Sequence, residues 1–213
     1  MAAYGRPTLR DLFDESPTPH IAHPPRTHHR DYYVACDGSF RDGGGGLGVV
    51  IETRDGELVA RRSLPDRVPD NNVAEYRALH LGLDLLAARA PSDARVGVLV
   101  DHDDLAANVN RATIATRQPA LGPPHPYRVP SATRHHWRGI RARIAGFREL
   151  RAARIDSGEN PAHSLANAPR QYAHVNREPA RCVIPRESLA DPDHTQIPPP
   201  SRADRHGGAN ASD

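Results

Sequence analysis

Three acidic residues stand where apolar stretches of this sequence give way to polar ones. Asp37 follows YYVAC, Asp101 follows VGVLV, and Glu75 lies in NNVAEYRAL, near the start of a segment with helical spacing. Because an unpaired charge is costly to bury, a fold that uses these stretches as its core must bring the acids to an edge. Grouped carboxylates are typical ligands of hard divalent cations. The pattern therefore predicts a divalent-metal site assembled from distant parts of the chain.

The order of the periodic segments predicts an α/β domain. Three short β-type runs joined by glycine-containing turns come first and indicate an antiparallel meander. A helix follows, with Asp70 or Asn71 as its N-cap and Pro91 after its end. The next strand leads into a further helix, an order typical of a strand parallel to the first. A proline-rich loop over residues 111–133, a helix, a last strand and a last short helix complete the predicted order.

Local composition divides the chain into three parts. Residues 31–172 carry the periodic pattern and are expected to form the domain, whereas residues 1–30 are rich in proline and histidine and residues 173–213 lack periodicity. We expect the N-terminal extension to be flexible and the C-terminal tail to be largely disordered. Within the extension, TLRDLFDE is predicted to form one or two helical turns capped by Thr8, whose apolar side docks on the domain or on a partner.

Cysteine content and hydropathy exclude several classes of protein. The 2 cysteines lie far apart without a CxxC partner, which excludes a structural zinc site of cysteines and argues against a disulfide framework. No stretch approaches the length of a membrane span, and the N-terminus lacks an apolar signal region. A cytoplasmic protein with no membrane partner is therefore expected.

Basic residues are concentrated in one segment. All 28 are arginine, and residues 134–154 contain seven of them against a single acid, although the formal net charge is only +2. Arginine recognises phosphate through two parallel hydrogen bonds. One interpretation is that Arg134, Arg138 and Arg141 contact a nucleic-acid backbone while Trp137 stacks on a base. The alternative is a solvated helix face without a ligand.

Taken together, the motifs resemble the ribonuclease H superfamily, in particular its ribonuclease HI type. The resemblance covers residues 32–168 and rests on CDGSFRDGGGGLGVVI, PDNNVAEYRALHLGL, VLVDHDDLAANVN and AHSLANA in this order. It implies a ribonuclease H-like five-stranded mixed sheet, with the first three strands antiparallel, flanked by helices. It also implies an endonuclease that uses Mg²⁺ or Mn²⁺, in a two-metal site, to hydrolyse the RNA strand of RNA–DNA hybrids.

The resemblance also implies roles for individual residues. Asp37 would bridge two metal ions, and Glu75 and Asp101 would bind one of them. At the fourth position, where the family usually carries aspartate, this chain has His163. Imidazole is neutral and softer than a carboxylate, so His163 as a ligand would weaken the second metal and favour manganese. His163 is alternatively a helix-start residue without a ligand role.

Three neighbouring residues are candidates for the third metal ligand. Spacing relative to the following helix leaves Asp101, His102 and Asp103 as candidates. We prefer Asp101, because VGVLV leads directly into it.

Four further residues are implied to approach the nucleic acid. Gly38 and Ser39 would let the backbone come close to the substrate, and Asn71 and Asn72 would lie near the minor groove and its 2′-hydroxyl groups. Two alternatives to hybrid hydrolysis remain. One is a ribonuclease H-fold binding or regulatory protein whose cleavage is weakened by the altered fourth position, and the other is a nuclease for duplex RNA, DNA or a structured junction.

Overall fold

A five-stranded mixed sheet organises the computed structural model, which describes residues 6–16, 30–41, 45–117 and 126–178. The strands lie in the spatial order third, second, first, fourth, fifth. The first strand is antiparallel to the second and parallel to the fourth, and the fourth is parallel to the fifth. The strands are β1 (Tyr32–Ser39), β2 (Gly45–Thr53), β3 (Leu58–Asp66), β4 (Arg95–Val100) and β5 (Glu149–Arg154). The predicted fold class is confirmed.

Five α-helices flank the sheet in the described part of the chain. They are α1 (Leu9–Glu15), α2 (Asn71–Ala87), α3 (Asp103–Arg117), α4 (Arg134–Gly146) and α5 (His163–Asn167). The cap of α2 is Asp70, whose side chain accepts a hydrogen bond from the backbone N–H of Val73 over 2.9 Å. No helix among the described residues is long and apolar enough to cross a membrane.

Both faces of the sheet are buried, which explains why the central strands are apolar throughout. Along β1, Val34 and Cys36 face a core formed with α2, α3 and α4. The intervening Tyr33 and Ala35 face a second core, to which α1 and α5 contribute. Successive side chains of a strand point to opposite faces, so a strand covered on both sides needs apolar residues at every position.

The short N-terminal helix docks on the domain. Docking on the domain and docking on a partner were the two predicted alternatives. Thr8 caps α1, and its backbone N–H in turn donates to Asp11 over 3.0 Å. Phe13 is 1% exposed and its ring packs edge-on against Tyr33 at 5.6 Å. The folded part therefore begins before residue 31. The remaining predicted flexible residues, 1–5 and 17–29, lie outside the described residues.

The folded part also continues past residue 172. A 3₁₀ turn at Ala173–Arg177 buries Val175, and Asn176 exchanges hydrogen bonds of 2.9 and 2.7 Å with the backbone N–H and carbonyl of Ser63 in β3. Residues 173–178 of the predicted tail are thus ordered, and this turn completes the second core. Residues 179–213 lie outside the described residues. In the predicted loop 111–133, α3 extends as far as Arg117.

Candidate active site

The predicted site residues come together at one edge of the sheet. Asp37 lies near the end of β1 and Asp101 directly follows β4, and since these strands are parallel neighbours their carboxyl ends meet. His163 opens α5 above the same edge. One ligand atom each from Asp37, Asp101 and His163 lies within 4.8 Å of the others. Glu75, from the beginning of α2, reaches the same two aspartates.

Gly38 allows β1 and α2 to approach closely enough to pair their acids. A Cβ atom at Gly38 would lie less than 3.0 Å from backbone atoms of Ala74 and Glu75. The backbone N–H of Gly38 also partly offsets the rise in the pKa values of Asp37 and Glu75. The immediate neighbour of Gly38 is therefore α2, and any side chain there would push the two acids apart.

Burial and mutual repulsion strongly perturb two of the acids. Burial, followed by repulsion from Asp101 and Asp37, raises the pKa of Glu75 to about 10. Burial and then the proximity of Asp101 raise the pKa of Asp37 to about 7. Each of the two residues is only 2% exposed. Like-charged groups held together out of water cannot all ionise unless a cation joins them.

The donor set fits a hard divalent ion. One carboxylate oxygen of Glu75, Oε2, is buried and has no hydrogen-bond partner within the described part of the chain. This oxygen lies next to two aspartates and is available to bind a cation. Mg²⁺ and Mn²⁺ bind preferentially to carboxylate oxygens. Asp37, Glu75 and Asp101 could hold the ion, and His163 offers a ring nitrogen to the same group.

Among the three candidates for the third acid, Asp101 is the one that reaches the cluster. Its Oδ2 accepts a hydrogen bond of 2.6 Å from the hydroxyl of Ser157, in the loop that precedes α5. This contact holds the carboxylate at the end of β4 while leaving its second oxygen for other partners.

His102 and Asp103 have different roles in the structure. Nδ1 of His102 accepts from the backbone N–H of Leu105 over 3.2 Å and so caps α3, which leaves Nε2 to donate to Oδ1 of Asn72 at 2.8 Å. Asp103 is largely exposed and pairs with Arg154 at 2.8 Å.

Asn160 is a site-building residue that the sequence analysis missed. It is 4% exposed, and its Nδ2 donates to the backbone carbonyl of Cys36 over 2.9 Å. Its Oδ1 accepts from the backbone N–H of Ala162 over 3.0 Å. Asn160 thereby attaches the start of α5 to the residue preceding Asp37. Its only local signal is the following proline, which predicts a turn and no more.

Asn167 and Arg41 also contact the predicted site without having been predicted. Nδ2 of Asn167 lies 2.8 Å from Nε2 of His163, whose Nδ1 lies 3.1 Å from Oδ2 of Asp37. Oδ1 of Asn167 accepts from Arg41 over 2.8 Å and from the hydroxyl of Ser39 over 2.9 Å. Ser39, predicted to lie at the substrate, is therefore engaged by α5.

The predicted nucleic-acid residues are divided between surface and core. Asn71 and Asn72 are exposed at the start of α2. The exposed side chains of Arg134, Arg138 and Arg141 contribute to the lining of a cleft of about 460 Å³ next to α4. This places three guanidinium groups along one open groove.

Trp137 belongs to the core. It is 7% exposed and packs between Tyr76, at 6.2 Å, and Tyr127, at 5.3 Å. This burial leaves little of the ring exposed for the predicted stacking on a base, although Trp137 lines the same cleft as the three arginines. The helical spacing of Trp137 with Ile140 and Ile144 points all three side chains inward, where the indole fills space between α4 and α2.

Comparison with solved structures decides the fold. The solution structure of the PFV RNase H domain matches with a TM-score of 0.50 at 16% sequence identity, covering 69% of this chain and 98% of that domain. The chain has a ribonuclease H-like fold. The foamy viral protease-reverse transcriptase in complex with RNA/DNA hybrid also gives a TM-score of 0.50 at 16% identity, covering 71% of this chain and 21% of that one.

A further solved structure is similar to the same ribonuclease H-like domain. RNase H1 from the halophilic archaeon Halobacterium salinarum NRC-1 matches with a TM-score of 0.49 at 23% identity, covering 66% of this chain and 98% of that one. No family model matches the sequence, and no curated protein matches it. Within this ribonuclease H-like fold, the acidic cluster occupies the carboxyl ends of β1 and β4.

Proposed function

We propose that this protein is a metal-dependent endonuclease that hydrolyses the RNA strand of RNA–DNA hybrids. The observation that carries the proposal is the convergence of Asp37, Glu75 and Asp101, with Oε2 of Glu75 buried and without a hydrogen-bond partner among the described residues. A fold does not maintain such repulsion in its interior for stability, because paired or apolar side chains would be more favourable there.

The three carboxylates would hold Mg²⁺ or Mn²⁺. When bound, the ion supplies activation of a water molecule and neutralisation of the charge that develops on the leaving oxygen. Asp37 and Glu75 are fixed by the contact of β1 with α2 at Gly38, so their oxygens are preorganised. Asp101 is oriented from outside by the hydroxyl of Ser157.

The choice of substrate is based on the surface residues beside the acids. Asn71 and Asn72 present amide groups that both donate and accept, as recognition of 2′-hydroxyls in a minor groove requires. Arg134, Arg138 and Arg141 offer phosphate contacts along the cleft beside α4. The foamy viral protein of the same fold was solved in complex with RNA/DNA hybrid, which supports a hybrid as the first substrate to test.

A second candidate function is binding of the hybrid with weak or no cleavage. The observation that favours it is His163, which stands at the position where the resemblance expects a carboxylate and contacts Asp37. A missing fourth carboxylate reduces the negative charge available to cations at the site.

Cleavage of end-labelled substrates separates these functions. An RNA–DNA hybrid, an RNA duplex and a DNA duplex are incubated with the full chain in Mg²⁺ or in Mn²⁺, and binding is measured in parallel. We expect cleavage of the RNA strand of the hybrid only. Binding of the hybrid without cleavage in either metal would overturn the proposal in favour of the second candidate, and equal cleavage of an RNA or DNA duplex would overturn the assigned substrate.

A further inference from the structure

The side-chain amide of Asn167 has one orientation that satisfies its neighbours. Its Oδ1 lies 2.8 Å from a guanidinium nitrogen of Arg41, and its Nδ2 lies 3.1 Å from the backbone carbonyl oxygen of His163. A guanidinium group only donates hydrogen bonds, and a carbonyl oxygen only accepts them. Turning the amide over would place two donors together at one end and two acceptors at the other. Asn167 therefore directs an N–H bond towards its remaining neighbour.

That neighbour is the imidazole of His163. Nδ2 of Asn167 lies 2.8 Å from Nε2 of His163, and since Nδ2 donates, Nε2 must accept and carries no proton. In a neutral imidazole the proton is then on Nδ1. Nδ1 lies 3.1 Å from Oδ2 of Asp37, an oxygen able to accept it. The hydrogen bonds thus run in one direction, from Arg41 through Asn167 and His163 to Asp37.

We propose that Arg41 and Asn167 are positioning residues that hold His163 as an N–H donor to Asp37 instead of as a metal ligand. A nitrogen that ligates a metal must be unprotonated and free of another donor. In His163, Nδ1 carries the proton and Nε2 is engaged by Asn167. On this proposal, His163 is not the metal ligand that the resemblance offered as one of its two roles.

The consequence for metal binding rests on the proposed function. Where the related motif has a fourth carboxylate, this chain presents a hydrogen-bond donor, which relieves repulsion on Asp37 instead of adding to it. A divalent ion is then held by Asp37, Glu75 and Asp101 alone. The location of the proton on His163 is a property of the metal-free protein and is testable whether or not the protein cleaves nucleic acid.

Long-range ¹⁵N–¹H correlation spectra of the histidine side chains report this proton directly, because protonated and unprotonated ring nitrogens have well-separated ¹⁵N shifts. The spectra are recorded on the full chain at about pH 8, above the usual titration range of imidazole. The His163→Gln variant identifies the signals of His163. We expect Nδ1 protonated and Nε2 unprotonated, both without metal and with saturating Mg²⁺. Protonation of Nε2 in the wild type, or transfer of the proton from Nδ1 to Nε2 on addition of Mg²⁺, would overturn the proposal.

Variants test whether the two positioning residues set the proton. Asn167→Asp replaces the donor by an acceptor, so we expect Nε2 to become protonated. Arg41→Glu replaces the obligate donor to Oδ1 by an acceptor and is expected to turn the amide, so that protonated Nε2 appears as a second population. Lysine, like arginine, only donates hydrogen bonds, so Arg41→Lys should keep the wild-type spectrum.

A matched control separates positioning from a change of local charge. Arg170 lines the same cleft as Arg41 and Asn167, about 600 Å³ in volume. Arg170→Glu changes the charge by the same amount and should leave the His163 spectrum unchanged. A wild-type spectrum in both Arg41→Glu and Asn167→Asp would refute the role of these residues. If only the nuclease proposal fails, the protein does not cleave the hybrid, but the metal-free wild type still shows His163 protonated at Nδ1 and unprotonated at Nε2.

Discussion

The side chain of Asn160 donates a hydrogen bond of 2.9 Å to the backbone carbonyl of Cys36, across 124 positions of sequence. The contact joins the loop before α5 to the end of β1. It therefore sets the distance between His163, which opens α5, and Asp37, which follows Cys36. Both ends of this contact are buried, so the bond is protected from competing water.

Asn160→Ala is expected to destabilise the protein by about 1–3 kcal/mol, because it leaves the Cys36 carbonyl and the Ala162 N–H buried without their partner. It should also weaken Mg²⁺ binding, since the backbone at Cys36, next to Asp37, loses its buried contact with Asn160. Denaturant unfolding and calorimetric titration with Mg²⁺ measure the two effects.

Asn176 provides the matched control for that variant. It makes two comparable hydrogen bonds to the backbone of Ser63 in β3. Asn176→Ala should cost a similar free energy of unfolding and leave Mg²⁺ affinity unchanged. If both variants lose Mg²⁺ affinity equally, the loss reflects general destabilisation, and the assigned role of Asn160 is incorrect.

Glu75→Gln is expected to stabilise the metal-free protein at neutral pH. Burial raises the pKa of Glu75 from 4.5 to about 10. The folded state thus keeps a proton that the unfolded chain releases, and the free energy of unfolding falls as pH rises from about 4.5 towards 10. Glutamine removes this loss. We expect a gain of up to about 3 kcal/mol at pH 7, because each pH unit above the ordinary pKa of 4.5 costs the wild type about 1.4 kcal/mol.

Unfolding of both proteins in the presence of a chelator, between about pH 5 and pH 9, tests this expectation. The variant should show a shallower decline with pH and no stabilisation by added Mg²⁺. Glu57 is exposed, and Glu57→Gln is the control that should behave like the wild type. If the free energy of unfolding of Glu75→Gln falls with pH as steeply as that of the wild type, a group other than Glu75 causes the pH dependence.

Metal affinity is expected to rise with pH. Burial and then the proximity of Asp101 raise the pKa of Asp37 to about 7, so below this pH a metal ion must displace a proton from Asp37 as well as the proton of Glu75, whose pKa is about 10. Displacement of one proton costs about tenfold in affinity per pH unit. Calorimetric titrations with Mg²⁺ at about pH 6 and pH 8, in buffers of different ionisation enthalpy, measure both affinity and proton release. Equal affinity at the two pH values, without proton release, would contradict the geometry assigned to Asp37.

Arg138→Gln is expected to weaken binding of an RNA–DNA hybrid by roughly fivefold, or about 1 kcal/mol. The slope of log affinity against log salt should fall by about 1, as expected for the loss of one phosphate contact. Arg138 lines the cleft next to α4. Fluorescence anisotropy over a salt series measures both quantities.

Arg54 offers a control of equal charge. Arg54 follows Thr53, the last residue of β2, which pairs with Tyr32 at the start of β1. Asp37 pairs with Gly48, in the first half of β2. Arg54 therefore lies at the end of the sheet away from the acids, and Arg54→Gln should leave the salt slope unchanged. Equal effects of the two substitutions would indicate non-specific attraction by net charge and not a defined phosphate contact.

The sequence predicted the antiparallel meander, a later strand parallel to the first and the convergence of the acids, because all three follow from local patterns. Apolar runs mark β1 and β4, and their parallel pairing brings Asp37 and Asp101 to one edge. The pattern favoured Asp101 but did not exclude His102 and Asp103, since all three follow the same strand. Only the start of α3, where His102 serves as the cap, separates them.

Long-range polar contacts and the directions of side chains were harder to predict from the sequence. The bond between Asn160 and Cys36 links segments with no shared periodicity, so neither segment predicts the other. Trp137 carried conflicting signals. Its helical spacing with Ile140 and Ile144 indicated a buried face, whereas the arginines around it suggested a nucleic-acid surface, and the packing against Tyr76 follows the first.

Hydrolysis of the RNA strand of a labelled hybrid by the wild type and by Asp37→Asn, in Mg²⁺ and in Mn²⁺, tests the proposed metal-dependent nuclease most directly. We predict metal-dependent cleavage by the wild type and a loss of more than about hundredfold in the variant, with hybrid binding retained, because a neutral amide replaces the buried carboxylate next to Glu75 and Asp101. Cleavage by Asp37→Asn at the wild-type rate would contradict the assignment of the acidic cluster as the active site.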